Sequence, residues 1–212
     1  MARPSRNIDQ RLLDAGRELL PQTGCAGLSA RRLTEHAGVN LAMLNYHFGS
    51  KDAFIRRLLD GMYDEMFAEL TVRAAAEGTP LERLRASLRV LARFVHGNRQ
   101  VMARIMADAL NGEPVAIEFL SANVPRHVKV LVKLLREAQR AKQLMRMPVP
   151  QALAFIFGGA LLPVLFGTAA QSSHAVPLVV RLALDVQVLP LRAIEKRIDL
   201  ALRGLTLPGS TT

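Results

Sequence analysis

The sequence predicts an all-α protein on three grounds. Half of its 212 residues are hydrophobic, yet only 5% are aromatic. The chain is rich in Leu, Ala and Arg, which favour helices, and it lacks long alternating runs of β-branched residues. Apolar residues also recur at helical spacing, beginning with Ile8, Leu12, Ala15 and Leu19. The length is sufficient for one large domain or two small ones.

The first helix is predicted over residues 7–20, after a short basic arm at 1–7. Pro21, Gly24 and Gly27 follow, and these residue types stop helical continuation. The arm carries charge but no apolar core, so it does not read as a secretory signal.

Two short helices follow, "ARRLTEHA" at 30–37 and "LAMLNYHF" at 41–48. Ser29 and Asn40 are suited to cap their N-termini, and Gly38 lies in the tight turn between them. Two helices joined by a short turn containing Gly form a helix-turn-helix unit. Its predicted core consists of Leu33, Ala37, Val39, Leu44 and Phe48.

The remainder is predicted to be helical as well. A fourth helix starts at Lys51 and runs to about residue 76. The later helices are expected over 80–96, 98–111, 114–122, 125–145, 152–170, 177–189 and 190–204. We therefore predict a domain at 1–50, a larger helical regulatory and dimerisation domain at 51–205, and a disordered tail at 206–212.

The net charge of +10 favours a polyanionic partner, either nucleic acid or a membrane surface. Its distribution does not locate the binding face, because residues 1–60 carry a net +3 and residues 73–146 a net +8. Arg85, Arg89 and Arg93 recur every four residues and are interpreted as a solvated helix face.

The stretch "ALAFIFGGALLPVLFGTAA" at 152–170 has no charge and is long enough to span a membrane. Its small residues, Gly158, Gly159 and internal Pro163 favour instead a helix buried in a core or an oligomer interface. A membrane-associated basic helical protein is the alternative to this interpretation.

Polar residues cluster at Asn45, Tyr46, His47 and Lys51. No set of carboxylates or cysteines with metal-ligand spacing accompanies them, and no nucleophile is paired with a base. We therefore predict no metal, no cofactor and no enzymatic activity. Contact with phosphate fits best, because all of Tyr, His and Lys can donate hydrogen bonds to one nucleic-acid backbone.

The start of the third helix would then be free to approach base edges in a major groove. The predicted DNA-contacting residues are Ser29, Arg31, Asn40, Leu41, Ala42, Asn45, Tyr46, His47 and Lys51.

Residues 8–56 resemble the N-terminal DNA-binding domain of the TetR family of transcriptional regulators. The resemblance is carried by "LLDAGRELLPQTG", by "AGV" at the turn and by "YHFGSKDAF" before the fourth helix. Asn45 stands where the family more often has an aromatic residue. The resemblance implies a cytoplasmic homodimer that binds a palindromic operator, and a repressor released by a small-molecule effector.

The family's second domain generally holds an effector pocket and a dimer interface. The residues predicted for the interface are Phe155, Gly158, Gly159, Leu162, Phe166, Ile194 and Ile198. Those predicted for the pocket are Met62, Met66, Phe94, Met102, Met106 and Phe119, each of which can equally be a core residue. His96 and His127 could add a polar contact there. The single cysteine, Cys25, suits a reducing cytosol, and its role as a redox sensor is left open.

Overall fold

The computed structural model describes residues 5–173 and 175–206, and within these ranges it contains helices and no strand. The all-α prediction is confirmed. The parts of the predicted basic arm and tail at 1–4 and 207–212 lie outside the described residues. The helices are α1 (Ser5–Gly27), α2 (Ala30–Ala37), α3 (Leu41–Phe48), α4 (Lys51–Ala75), α5 (Pro80–Gly97), α6 (Arg99–Leu110), α7 (Pro114–Arg140), α8 (Val149–Ala160), α9 (Leu162–Gln171), α10 (Leu178–Ala183), a π-helix (Leu184–Val188) and α11 (Leu191–Gly204).

Packing divides the chain into two compact units. One consists of residues up to Asp64 together with Gln100–Asn123, and the other of Glu65–Arg99 together with residues from Val124 onward. The first unit thus joins the start of α4, α6 and the start of α7 to the three N-terminal helices. The predicted domains at 1–50 and 51–205 stay a prediction.

The caps of α2 and α3 are those that the sequence predicts. Ser29 Oγ accepts a hydrogen bond from the backbone N–H of Arg32 at 3.1 Å, and Asn40 Oδ1 accepts one from Met43 at 3.1 Å. Gly38 has φ +63°, a conformation that costs little without a Cβ atom. These local signals fixed the bounds of both helices correctly.

Three helix predictions were wrong, and each involved a proline. α1 continues through Pro21 and breaks only at Gly24, whose φ of +67° and ψ of −172° are not helical. α7 is one helix with Pro125 inside it, not two. The uncharged stretch at 152–170 is divided at Leu161 into α8 and α9, with Pro163 in the first turn of α9. A missing N–H is tolerated in a first turn, where it would have no intrahelical partner.

In the first unit, a carboxylate from α6 forms hydrogen bonds to the backbone near the end of α1. Asp108 Oδ2 accepts hydrogen bonds from the backbone N–H groups of Cys25 at 2.6 Å and Ala26 at 3.4 Å. These are the donors that the break at Gly24 exposes. A Cβ atom at Gly24 would lie 2.5 Å from this carboxylate, so the glycine also provides space for it.

In the second unit, ion pairs surround α5. Asp199 of α11 pairs with both Arg85 at 3.2 Å and Arg89 at 3.0 Å. Arg83 pairs with Glu137 of α7 at 3.1 Å, and Arg93 with Glu69 of α4 at 2.6 Å. The arginines of α5 were interpreted as a solvated face; the structure shows them instead to be partners of specific carboxylates.

We predict that Asp108→Ala lowers the free energy of unfolding by about 1–2 kcal/mol, because it removes the cap of two backbone donors. Urea denaturation followed by circular dichroism measures this. Asp14→Ala is the matched control, since Asp14 is exposed and bonds only to Gln10 on its own helix among the described residues. Equal stability of the two variants would contradict the capping role.

Candidate nucleic-acid interface

One face of α3 is open to solvent. The side chain of Tyr46 is 80% exposed and that of Leu41 is 48% exposed. Asn40, Ala42 and Asn45 are exposed as well. The opposite side of the helix is anchored by Leu44, which is fully buried. The short helix therefore presents the predicted base-reading residues outward.

The turn before α3 is held by α1. Arg11 donates hydrogen bonds from Nη2 to the carbonyl oxygens of Ala37 at 2.7 Å and Gly38 at 2.9 Å. Orphan carbonyls at the end of α2 are thereby satisfied by a cation, which also suits the helix dipole. Sequence reasoning missed Arg11, because its spacing on α1 looks like that of any exposed residue.

His47 is placed differently from the prediction. Its side chain is only 8% exposed, and its Nδ1 pairs with the carboxylate of Asp9 in α1. The ring also meets that of Tyr46 edge to face, with centroids 5.0 Å apart. The predicted phosphate donor thus serves to join α3 to α1 and to support Tyr46. Asp9 belongs to α1 and gave no sequence signal of this pairing.

Lys51 lies at the first position of α4, with its side chain 30% exposed and its Nζ 3.4 Å from Asp52. Ser50 caps this helix by accepting a hydrogen bond from the N–H of Ala53 at 3.1 Å. A weakly paired cation at a helix N-terminus suits an anion such as a phosphate.

The other predicted contacts are at the start of α2. Ser29 is exposed, although its hydroxyl is already used as the helix cap. Arg31 is exposed and pairs with Glu35 one turn later at 2.8 Å. Exposed pairs of this kind are weak, so the guanidinium remains available to a phosphate.

The predicted pocket residues divide between the two units. Met62, Met102, Met106 and Phe119 belong to the first, and Met66 and Phe94 to the second. Phe119 is buried with its ring against that of Tyr63, at a centroid distance of 6.2 Å, whereas Met106 is exposed. Three cavities of the second unit, two of which are described below, have none of the six in their walls.

His96 is partly buried, which lowers the pKa of its imidazole, and the neighbouring charge of Arg99 lowers it further. His127 lies on α7 and is half-buried.

The predicted interface residues fall into two groups. Phe155, Gly158, Gly159, Leu162 and Phe166 are exposed on α8 and α9, with Phe166 exposed to 71%. Ile194 and Ile198 are fully buried where α11 packs on α5 and α8, so they cannot contact a second molecule directly. Their spacing identified the inner face of α11 rather than the outer one, where Leu200 is exposed.

A groove between α8 and α11 has a volume of about 440 Å³ and is lined by Phe155, Gly158, Gly159, Leu200 and Arg197, among others. Arg197 donates to the carbonyl oxygen of Val188 at 2.9 Å, and burial lowers its pKa.

The helical stretch Val149–Gln171 is long and apolar enough to cross a membrane, with a mean hydropathy of 2.0 and 39% of the window buried. The same composition is found in helices at the centre of a protein core. The boundary between α8 and α9 is the single residue Leu161, which itself has φ −100° and ψ −40° in the right-handed helical region.

Cys25 is fully buried, and this burial, with the nearby carboxylate of Asp108, raises the pKa of its thiol to about 12. Buried thiols of this kind carry little thiolate at neutral pH, whereas reactive cysteines are at least partly exposed. Within the described residues, no group of three or more His, Cys, Asp or Glu is placed to hold a metal ion.

We predict that His47→Ala lowers the free energy of unfolding by about 1–3 kcal/mol, because it leaves a buried carboxylate oxygen of Asp9 without its partner. Chemical denaturation measures the change. Tyr46→Ala is the control from the same helix, and we expect it to change stability by about 0.5 kcal/mol or less, as is usual for an exposed residue. A larger loss for Tyr46→Ala than for His47→Ala would exclude this division of roles.

Comparison with known proteins agrees with this geometry. Residues 12–58 match the family model "Bacterial regulatory proteins, tetR family". The Nucleoid occlusion factor SlmA of Idiomarina loihiensis is 27% identical over 146 residues, which cover 66% of this chain and 74% of that protein.

Solved structures share the fold over nearly the whole chain. The TetR family transcriptional regulator PfmR of Thermus thermophilus has a TM-score of 0.68 at 19% identity, covering 93% of this chain and 100% of that one. The ketosteroid transcriptional regulator KstR2 of Mycobacterium tuberculosis has a TM-score of 0.69 at 18% identity, covering 94% and 95%. The matched N-terminal sequence, on a helix-turn-helix unit with an exposed α3, and the shared fold support a tetR-family transcriptional regulator that binds DNA.

Proposed function

We propose that this regulator is a cytoplasmic homodimer that binds a palindromic operator through α3 and represses transcription until a small-molecule effector releases it. The observation that carries the proposal is the exposure of α3, whose outer residues are free while its inner side is fixed by Leu44 and by the caps. A rigid helix that stands out from its unit is the form that enters a major groove.

The outer face of α3 suits direct readout of bases. Asn45 carries an exposed amide that can bond to the N6 and N7 edge of adenine. Asn40 Oδ1 already caps α3, so only its Nδ2 group is left to donate to a base. Leu41 and Ala42 are apolar and exposed, which suits the methyl group of thymine. The operator would therefore include A·T pairs among the bases that α3 contacts.

Phosphate contacts would flank this face. Tyr46 is 80% exposed, and its hydroxyl can donate to a phosphate oxygen. Lys51 and the N-terminus of α4 add a cation and the helix dipole. We assign His47 to the support of Tyr46 instead, because its Nδ1 pairs with Asp9 and its ring packs edge to face on that of Tyr46.

The dimer is supported by an apolar surface that no other described part of its own unit covers. Phe155, Leu162 and Phe166 on α8 and α9 are exposed together with Leu178 and Val179 on α10. Exposed apolar residues in this number are typical of an interface. A two-fold dimer would place two copies of α3 in successive major grooves, about 34–36 Å apart along the DNA.

Release by an effector rests on the resemblance to the family and on the regulators that share the fold, one of which is named for ketosteroids. Binding at a second site would change the separation of the two α3 helices, with a coupling free energy of about 1–3 kcal/mol.

The binding mode is tested by mobility shift with DNA fragments that flank the coding region. On a retarded fragment, Lys51→Ala should weaken binding equally for all sequences and reduce the salt slope by about one, because one phosphate contact is lost. Asn45→Ala should instead change the preferred sequence at one position of each half-site, by about 1–3 kcal/mol.

Arg104→Ala is the control for charge, because Arg104 is an exposed cation of α6 with no ion pair among the described residues. It should leave the sequence preference unchanged. Failure of the unaltered protein to retard any fragment at low salt would refute the proposed function.

Phe166→Glu should convert the dimer into a monomer and weaken operator binding, because it places a charge in the apolar surface of α9. Sedimentation equilibrium over a range of concentrations measures the dissociation constant. Leu110→Glu is the matched control, since Leu110 is an exposed apolar residue of α6, outside the proposed interface. A stable dimer in the Phe166→Glu variant would place the interface elsewhere, and partitioning of the unaltered protein into a detergent phase would favour the membrane alternative.

A further inference from the structure

The net charge of the protein is concentrated in one segment outside the helix-turn-helix unit. Residues 124–147, the second part of α7 and the loop after it, contain seven Lys and Arg against one Glu, a net of +6 out of +10. The cations are Arg126, Lys129, Lys133, Arg136, Arg140, Lys142 and Arg146.

Four of these cations form a single line on the helix. Lys129, Lys133, Arg136 and Arg140 are spaced by four, three and four residues, so they share one face of α7. All four are exposed, whereas Leu131, Leu134, Leu135 and Ala138 on the other side of the helix are buried. At 1.5 Å per residue the line is about 17 Å long. We call these four residues the α7 line.

The α7 line lacks counter-charges in the part of the chain that the structure describes. Among residues 5–173 and 175–206, no carboxylate lies within ion-pair distance of any of its four members. The contrast within the same unit is sharp, because Arg83, Arg85, Arg89 and Arg93 of α5 all have carboxylate partners. The one acidic residue of the segment, Glu137, is paired with Arg83.

The C-terminal end of the α7 line borders a cavity, and hydrogen bonds hold the loop that forms part of its wall. Arg136, Gln139, Arg140, Arg146 and Met147 surround a volume of about 470 Å³. Gln139 donates from Nε2 to the carbonyl oxygens of Met145 at 3.2 Å and Met147 at 2.9 Å, which fixes the loop that carries Arg146.

The loop is fastened to α11 as well, since the N–H of Met145 donates to the carbonyl oxygen of Leu205 at 2.7 Å. Three arginines, at positions 136, 140 and 146, thus border one space whose wall is held in place.

We propose that the α7 line, with Arg146, is a second nucleic-acid contact that binds the phosphate backbone of duplex DNA without reading its sequence. This inference rests on the proposed DNA binding through α3. A length of about 17 Å corresponds to about five phosphates of one strand, which matches a row of cations better than a single small anion does. Guanidinium groups also bind phosphate oxygens in pairs, and three of the five groups are arginines.

A membrane surface fits the line less well. Helices that lie on lipid combine basic residues with exposed Trp, Phe or Leu side chains that insert between the acyl chains. Between residues 127 and 147 the Val, Leu and Met side chains are buried or half-buried. The line therefore offers charge with no adjacent large apolar side chain exposed for insertion in this described stretch.

The first test uses the full-length protein and a duplex that lacks the operator. The triple variant Arg136→Gln, Arg140→Gln, Arg146→Gln should reduce the slope of log K against log salt by about 2–3, because each lost phosphate contact contributes about 0.9. The control variant Arg104→Gln, Arg192→Gln, Lys196→Gln removes three other exposed cations and should change the slope by less than about one. Circular dichroism confirms that both variants are folded.

The second test detects contact directly. A photo-crosslinker attached at Lys133→Cys should link to the DNA, whereas one attached at Lys196→Cys should not. Cys25 does not interfere, because it is buried and its thiol pKa is about 12. Equal slopes for the two triple variants, or absence of a crosslink at position 133, would overturn the inference.

The outcomes separate the two proposals. If the unaltered protein binds no DNA at low salt, the proposed function itself fails. If it binds but the triple variant keeps the original slope, only the role of the α7 line fails. Binding to vesicles of phosphatidylglycerol and phosphatidylcholine that is lost in the α7 triple variant, with the DNA slope unchanged, would assign the line to lipid and also overturn the inference.

Discussion

The attachment of α3 to α1 is the constraint on which DNA recognition depends. A helix of eight residues is not stable by itself in water, so its shape must be imposed from outside. Two residues of α1 hold α3 in place, one at each of its ends. Arg11 bonds to the turn before α3, and Asp9 pairs with His47 in the last turn of α3. Leu44, on the inner side of α3, is fully buried. Because contacts with α1 hold the inner side of α3, the residues Leu41, Asn45 and Tyr46 face solvent without any rearrangement.

The region around α3 shows which features of the structure the sequence can predict and which it cannot. Helix type, bounds and caps near α2 and α3 depend on residues a few positions apart, and these were predicted correctly from Ser29, Gly38 and Asn40. The role of His47 depends on Asp9, which is 38 positions away, and a spacing rule carries no information about such a pair. Similarly, Ile194 and Ile198 were recognised as apolar, but whether an apolar face meets its own chain or a second molecule depends on tertiary packing.

Prolines gave misleading boundaries for the same reason. The cost of a missing backbone hydrogen bond is local, about 3 kcal/mol within a helix, whereas the gain from burying the flanking residues is distributed over the whole helix. Around Pro21, Leu19, Leu20 and Cys25 are buried, and α1 continues to the break at Gly24. The break then leaves backbone donors that Asp108, more than eighty residues later, satisfies.

The shared carboxylate of Asp199 has a consequence for how the second unit tolerates change. It is bound by two guanidinium groups that are one helical turn apart on α5, so its two attractions offset the repulsion between the two positive charges. A neutral residue at this position would therefore do more than delete two attractions. It would leave Arg85 and Arg89 to repel each other where α5 packs on α11. This repulsion would become stronger as the ionic strength falls.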